Sequence, residues 1–417
     1  MTKTKSNSNL VAIITMCFIF AMISFVTNMA APFGTIWRGQ YNWAGMMGNM
    51  MNFAAYLFMG IPAGKMLMKI GYKKTTLIAL ATGFVGICVQ YLSSYAFLAD
   101  KAIYVYLLGA FICGFSVCML NTVVNPMLNL LGGGGNKGNQ YIQIGGTLNS
   151  LAGTLTPLLV GILIGTVTDK TAMTDVVPLL FIAMAVFAVA FVIIWFVKIP
   201  EPTLNRPSVK YEHSAWNFRH TVLGVIAIFF YVGTEIGIPA QLLFYISDLG
   251  FEGSAAVAGS LAAIYWFLMM IGRFISSGIS AKVSARAQMT FVASLAIILL
   301  LIAIFLPESI SMTIKGHAVP TKCVFIAACG ICTSIMWGGI FNLAVEGLGK
   351  YTERASGIFM TLVCGGGILP LLMNAIVDGC GGTGYLQSYW VIVFGIAYIL
   401  FYALVGSKNV NKDIPVE

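Results

Sequence analysis

Charge is what this sequence is short of. Only 9% of its 417 residues are Asp, Glu, Lys or Arg, and before Asp169 the single acidic residue is Asp100. Hydrophobic residues make up 59%, and the mean hydropathy is +0.90. Soluble surfaces need charge, so this composition excludes a soluble globular domain. Histidine is scarce too. His213 and His220 fall in or beside the one long connection, and His317 falls in an outer loop. None can join a nucleophile, base or metal ligand at membrane depth, and no metal-ligand spacing occurs, so an enzyme and a cofactor are both unexpected. The nine cysteines are odd in number and scattered through apolar runs. The CxxC of Cys329 and Cys332 lies inside one such run, where small buried residues are a better reading than a redox or zinc pair.

What the sequence has is long apolar runs. A helix needs about 20 apolar residues to cross a bilayer. Twelve such segments are expected, near 10–32, 44–68, 75–96, 102–130, 139–166, 177–198, 218–247, 254–280, 287–306, 321–347, 355–377 and 387–407. Lys3 and Lys5 before the first run resemble a signal peptide, but the run is long and eleven more follow, so it reads as a first span. The expected fold is an all-α membrane protein of twelve transmembrane helices in two six-helix bundles. The organisation is 1–198, a linker at 199–217, and 218–417.

The net charge of +9 follows topology rather than nucleic acid. Eighteen of the 23 basic residues fall on one side, and Arg38, Lys101, Lys170, Lys315 and Lys322 on the other. The positive-inside rule makes the richer side cytoplasmic and puts both termini there. A bacterial inner membrane is the expected location, and a monomer the expected state.

The stretch NTVVNPMLNLLGGGGNKGNQYIQIGGTLNSLAGTLTP, 121–157, carries an unusual density of carboxamides. Asn121, Asn125, Asn129, Gln143 and Asn149 are expensive in hydrocarbon unless they meet partners or water. They read as lining for a neutral polyhydroxylated ligand, or as glue between helices around Pro126. Asn28, Asn52, Gln241, Asn342 and Asn374 extend the candidate lining. Tyr265, Trp266 and Trp337 are candidates for stacking on a sugar ring, with core packing equally open for the first two. Glu235 is the only acidic residue well inside any expected span, hence a coupling candidate or a packed, paired glutamate. Arg273 falls toward the cytoplasmic end of its span. Glu346, Lys350 and Arg354 have the spacing of ion pairs at a helix end and read as a cytoplasmic gate.

The second half echoes the first. GTLTPLLVGIL at 153–163 parallels GGILPLLMNAI at 366–376. A parallel repeat of six-helix units is a transporter signature. More specifically, PAGKMLMKIGYKK at 62–74, NP at 125–126, LNSLAGTLTPLL at 148–159, YVGTEIGI at 231–238, YWFLMMIGRF at 265–274 and SIMWGGIFNLAVEGLGKYTERASG at 334–357 carry a resemblance. The chain resembles the fucose–galactose–glucose:proton symporter family of the major facilitator superfamily. The resemblance implies uptake of a neutral monosaccharide by alternating access, usually coupled to proton entry.

The chain departs from that family where protons are usually handled. Ala31 stands where an aspartate is typical, Asn121 where a glutamate is, and Gly146 where a glutamine is. Three couplings fit: Glu235 alone carries the proton, sodium is held by neutral oxygens, or the carrier is an uncoupled facilitator. The losses favour altered coupling or a facilitator. A membrane sugar sensor of the same fold is the alternative outside transport.

Overall fold

The computed structural model describes residues 2–41, 44–45, 47–164, 170–202 and 212–416. It is an all-α membrane protein. The helices of the first half are α1 (Thr2–Asn28), α2 (Ala30–Gln40), α3 (Met47–Leu92), α4 (Ala102–Leu131), α5 (Gly135–Ile164) and α6 (Val177–Phe196). Those of the second half are α7 (Arg219–Ser247), α8 (Ser254–Ile279), α9 (Ala285–Phe305), α10 (Lys322–Thr333), α11 (Met336–Ala344), α12 (Thr352–Thr361), α13 (Gly365–Gly379) and α14 (Tyr385–Phe401). Ten helical stretches among the described residues are long and apolar enough to cross a membrane. One of them, α3, has 46 residues. At about 1.5 Å per residue that is about 69 Å, twice a bilayer core. Gly71, at φ 83° and ψ 178°, breaks it into two crossings. Among the described residues that makes eleven crossings, and α5, whose 30 residues are long enough to cross, is the twelfth.

Glycine is needed at 71 because that φ is strained for any residue with a Cβ. The helix restarts at Tyr72, and its exposed N–H groups are capped from afar. The Glu201 carboxylate accepts the Tyr72 and Lys73 N–H groups at 2.6 and 2.8 Å. A carboxylate at the positive end of a helix dipole is favourable. Residues 203–211 of the expected linker, 199–217, lie outside the described residues.

Three expected spans are discontinuous. The first breaks at Met29, between α1 and α2. The tenth breaks at Ser334–Ile335, between α10 and α11. The eleventh passes through a 3-10 turn, Leu362–Cys364, between α12 and α13. One strand pair was not anticipated. β1 (Ser311–Ile314) and β2 (His317–Pro320) form an antiparallel hairpin with Ile314 opposite His317. Lys315 and Gly316 both have positive φ, as a two-residue hairpin turn requires.

Within each half the helices pack on one another: α1 on α5 and α3 on α4 and α6 in the first, and α7 on α8, α10, α13 and α14 in the second. The halves meet mainly where α5 faces α8 and α3 faces α12. At the second seam the backbones touch. A Cβ added at Gly60 would lie 2.6 Å from the Thr361 nitrogen and 2.7 Å from the Gly357 oxygen. One at Gly64 would lie 2.9 Å from the Gly357 Cα. Small residues four apart allow such an approach in a membrane.

Candidate functional site

The carboxamide row divides into groups that seal the seam and groups that stay partly open. Asn125 is fully buried, and its Oδ1 accepts the indole N–H of Trp337 at 2.9 Å. Its Nδ2 donates to the Asn121 carbonyl one turn back, beside Pro126. Asn121 in turn donates to the Tyr56 hydroxyl at 2.8 Å, inside the first half. Asn129 donates to Asn342 at 2.7 Å across the seam. Gln143 donates to the Ile335 carbonyl at 3.0 Å, at the break between α10 and α11. Gln140 and Asn139 reach Ser277 and Ser280 at the end of α8. In this structure these amides bond across or beside the seam rather than facing an open cavity.

Arg273 is the centre that the residue-by-residue reading missed. It lies in the last third of α8, as expected, but it is not a helix-end residue facing water. Its side chain is 9% exposed, and it pairs with Glu235 at 3.1 Å. Its Nε donates to the Ser334 carbonyl at 3.0 Å, an acceptor at the α10–α11 break. Its Nη1 donates to the Gly146 carbonyl, to Asn149 Oδ1 and to Ser150 Oγ at 3.3, 3.3 and 2.7 Å, all on α5. Its Nη2 also reaches the Tyr231 hydroxyl at 3.5 Å. A planar fork with five N–H groups suits this many fixed acceptors. The signal available in sequence was an arginine 19 residues into an apolar run, with an unpaired glutamate in the preceding span.

Several candidates lie on the helices that meet at this pair, or on α1 packed against α5. Glu235, Asn149, Asn28, Trp266 and Trp337 all keep part of their surface exposed. Asn149 also donates to the Phe20 carbonyl at 2.7 Å, which fixes its orientation. Asn28 donates to Ser24 on its own helix, next to Gly153 of α5. Trp337 meets Tyr231 edge-on at 6.3 Å between ring centroids. Trp266 is seven residues before Arg273, so it shares that face of α8 two turns away.

The remaining candidates sit elsewhere. Tyr265 is fully buried, and its hydroxyl bonds to Thr333 at 2.9 Å and to the Glu235 carbonyl at 3.3 Å. It ties α7, α8 and α10 together and presents no ring face to a cavity. Gln241 donates to Asn374, pairing α7 with α13. Gln241 is buried, and its Oε1 has no hydrogen-bond partner among the described residues, while Asn374 is half-buried. Asn52 is half-buried on α3 beside a small cavity it shares with Met29, Phe33, Gln90 and Tyr106, within the first half.

The continuous helix behind the expected gate spacing is absent. Glu346 and Lys350 do not share a helix, because α11 ends at Ala344 and Gly347 and Gly349 take positive φ between them. Glu346 is exposed, and its carbonyl meets His220 Nε2 at 3.0 Å. The Lys350 N–H donates to the Val416 carbonyl, and its ammonium lies 5.7 Å from the Tyr351 ring centroid. Arg354 is half-buried at the start of α12. The acidic residue at the seam is Glu353 instead. It is 2% exposed and accepts from the Tyr72 hydroxyl of the other half at 3.4 Å.

These contacts define the state of the molecule. Tyr72–Glu353, the Gly60, Gly64 and Gly357 crossing, Gln140–Ser277 and Asn129–Asn342 all close the side that carries the basic loops. On the opposite side no hydrogen bond joins the two halves among the described residues.

Comparison with known proteins agrees with this architecture. The sequence pattern of the Major Facilitator Superfamily matches residues 10–370. A glucose/galactose transporter of Brucella abortus is 31% identical, over 98% of this chain and 97% of the relative. A putative glucose/galactose transporter of Helicobacter pylori is 28% identical, over 98% and 99%. The L-fucose-proton symporter of Escherichia coli is 23% identical, over 85% and 83%. A crystal structure of an E. coli fucose:proton symporter superposes with a TM-score of 0.80 at 19% identity, covering 96% of this chain and all of that one. The chain belongs to the major facilitator superfamily.

Proposed function

We propose that this protein carries a neutral monosaccharide of the glucose, galactose or fucose class across the bacterial inner membrane by alternating access. The observation that carries the reading is electrostatic. Among the described residues, the charge at mid-membrane is confined to Arg273 and Glu235, and the two neutralise each other at 3.1 Å. The half-exposed groups beside them are amides, hydroxyls and tryptophan. Such a surface offers sugar hydroxyls donors and acceptors without attracting an ion. A tryptophan supplies an apolar face for a pyranose ring. The named relatives, which include glucose/galactose transporters and a fucose-proton symporter, point the same way.

In this reading residues 1–198 and 218–417 are the two moving bodies, joined by 199–217. The basic side is cytoplasmic, with both termini there, and the protein works as a monomer. The structure then corresponds to a carrier shut toward the cytoplasm. Asn28, Asn149, Trp266 and Trp337 are the sugar contacts. Asn125, Asn129, Gln143 and Asn342 hold the seam, and Asn121 bonds Tyr56 within the first half.

The test is uptake of radiolabelled fucose, galactose, glucose and N-acetylglucosamine into proteoliposomes, with no gradient, an inward proton gradient or an inward sodium gradient. Uptake of at least one hexose is expected. Folded protein that takes up none would refute the sugar reading. Accumulation under protons alone, under sodium alone, or equilibration in every case separates the three couplings.

A further inference from the structure

We propose that the Arg273–Glu235 pair is a proton-operated latch holding the basic side shut, an inference that rests on the alternating-access reading above. Among the described residues, the guanidinium is the one charged group at mid-depth that bonds both halves. Three acceptors lie on α5: the Gly146 carbonyl, Asn149 and Ser150. Three belong to the second half: the Ser334 carbonyl, Tyr231 and Glu235. Along the same helices, toward the basic side, Gln140 meets Ser277 and Asn139 meets Ser280. α5 and α8 cannot part there unless Arg273 first gives up one set of partners.

The seam tolerates a buried cation because a carboxylate neutralises it. Removing one charge of a buried pair leaves the other uncompensated and strongly disfavoured. A proton from the outer water, adding to a Glu235 carboxylate oxygen, does this without any mutation. The carboxyl becomes neutral, and Arg273 is left with hydroxyl, amide and carbonyl acceptors only. Opening the α5–α8 seam hydrates the guanidinium and relieves that cost. The Glu235 side chain is 15% exposed, so a proton has a route to it. Once the basic side is wet, the nearby guanidinium favours the ionised carboxylate, and the proton leaves to that side.

Sugar acts on the same latch. Hydroxyls placed at Asn149 and Ser150 compete with Arg273 for those oxygens, so proton and sugar loosen one guanidinium together. The other titratable groups around Glu235 are the hydroxyls of Tyr231 and Tyr265, which are buried. The α5 side chains that face the pair, Asn149 and Ser150, carry no charge in any state. Before Asp169 the first half offers only Asp100, which is exposed near the start of α4. Among the described residues, Glu235 is thus the available carboxylate at mid-depth.

The latch is tested by accessibility of the basic side, without sugar. Gln140→Cys is introduced into the full chain carrying Cys380→Ser, reconstituted in nanodiscs and reacted with a membrane-impermeant maleimide; the same chain without Gln140→Cys gives the background. Labelling, divided at each pH by that of an exposed Lys282→Cys because maleimide reacts with the thiolate, is expected to quicken several-fold as pH falls from about 7.5 to about 4.5, into the range where a carboxyl gains its proton. With Glu235→Gln added it is expected to be fast at both pH values. With Arg273→Lys, which keeps the charge but not the fork, labelling at high pH is expected to fall between the two. Labelling that ignores pH in the parent overturns the proposal. So does slow labelling in a Glu235→Gln protein that still exchanges sugar across the membrane, since that protein is folded. Failure of the sugar assignment would appear only in uptake and would leave the labelling result standing.

Discussion

Gly60→Ala is a one-carbon perturbation at the contact between α3 and α12. The added Cβ would sit 2.6 Å from the Thr361 nitrogen and 2.7 Å from the Gly357 oxygen. Both are backbone atoms and cannot swing aside. Ordinary carbon contacts are about 3.5 Å, so the helices must separate by about 0.8 Å or absorb strain. Overpacking of this kind costs typically about 1–3 kcal/mol. Because the crossing joins two halves, the molecule has a way out that a single core lacks: it can open the seam. A penalty of about 2 kcal/mol on the closed state alone shifts its population relative to the open one by about 30-fold. Spin labels at Lys69 and Lys282, both exposed and on opposite halves, report this by electron–electron resonance. A longer distance on the basic side is expected in Gly60→Ala, and again in Gly357→Ala. An unchanged distance distribution with a lowered melting temperature would refute the reasoning, because the strain would then reside within the helices and not at the seam.

Other expectations follow from single contacts. Asn149→Ala removes one amide shared by the Phe20 carbonyl and Arg273; sugar affinity in counterflow should weaken by about 5- to 150-fold, from about 1–3 kcal/mol for a buried hydrogen bond, with membrane insertion unchanged. Tyr265→Phe deletes the hydroxyl bound to Thr333; thermal unfolding in detergent should show a loss of about 1 kcal/mol while sugar affinity holds, and a large affinity loss would return Tyr265 to the sugar site. Glu201→Gln takes the charge from the N-terminus that restarts at Tyr72; a destabilisation of about 0.5–1 kcal/mol is expected, and none at all would mean that a neutral acceptor caps equally well. Gly316→Ala, at φ 84°, should cost about 1–2 kcal/mol at the hairpin turn with uptake kinetics unaltered.

The spans were legible because hydropathy and length act locally. A run such as VPLLFIAMAVFAVAFVIIWF has no other stable place than a bilayer-crossing helix, whatever surrounds it. The break at Gly71 was hinted at by the glycine-bracketed basic loop. The breaks at Met29, at Ser334–Ile335 and at Leu362 were not, because helix interruptions are held by partners far along the chain. The Ser334 carbonyl is satisfied by Arg273 of another helix. The same limit applies to the spacing of Glu346 and Lys350, which assumed a continuous helix that Gly347 and Gly349 interrupt.

The candidate site was readable as a set of residue types and not as an arrangement. Sequence alone determined that this is an all-α membrane protein, that its interior is amide-rich and poor in charge, and that Glu235 stands apart. Those are consequences of composition and of the cost of polar groups in hydrocarbon. Only the tertiary structure decided which amides are spent on the seam, which remain partly exposed, and that Glu235 is paired. The physical reason is distance along the chain. Arg273 reaches Asn149 from 124 residues away, and Asn129 reaches Asn342 from 213. A hydrogen bond of that separation leaves no periodicity, spacing or propensity for a linear reading to find.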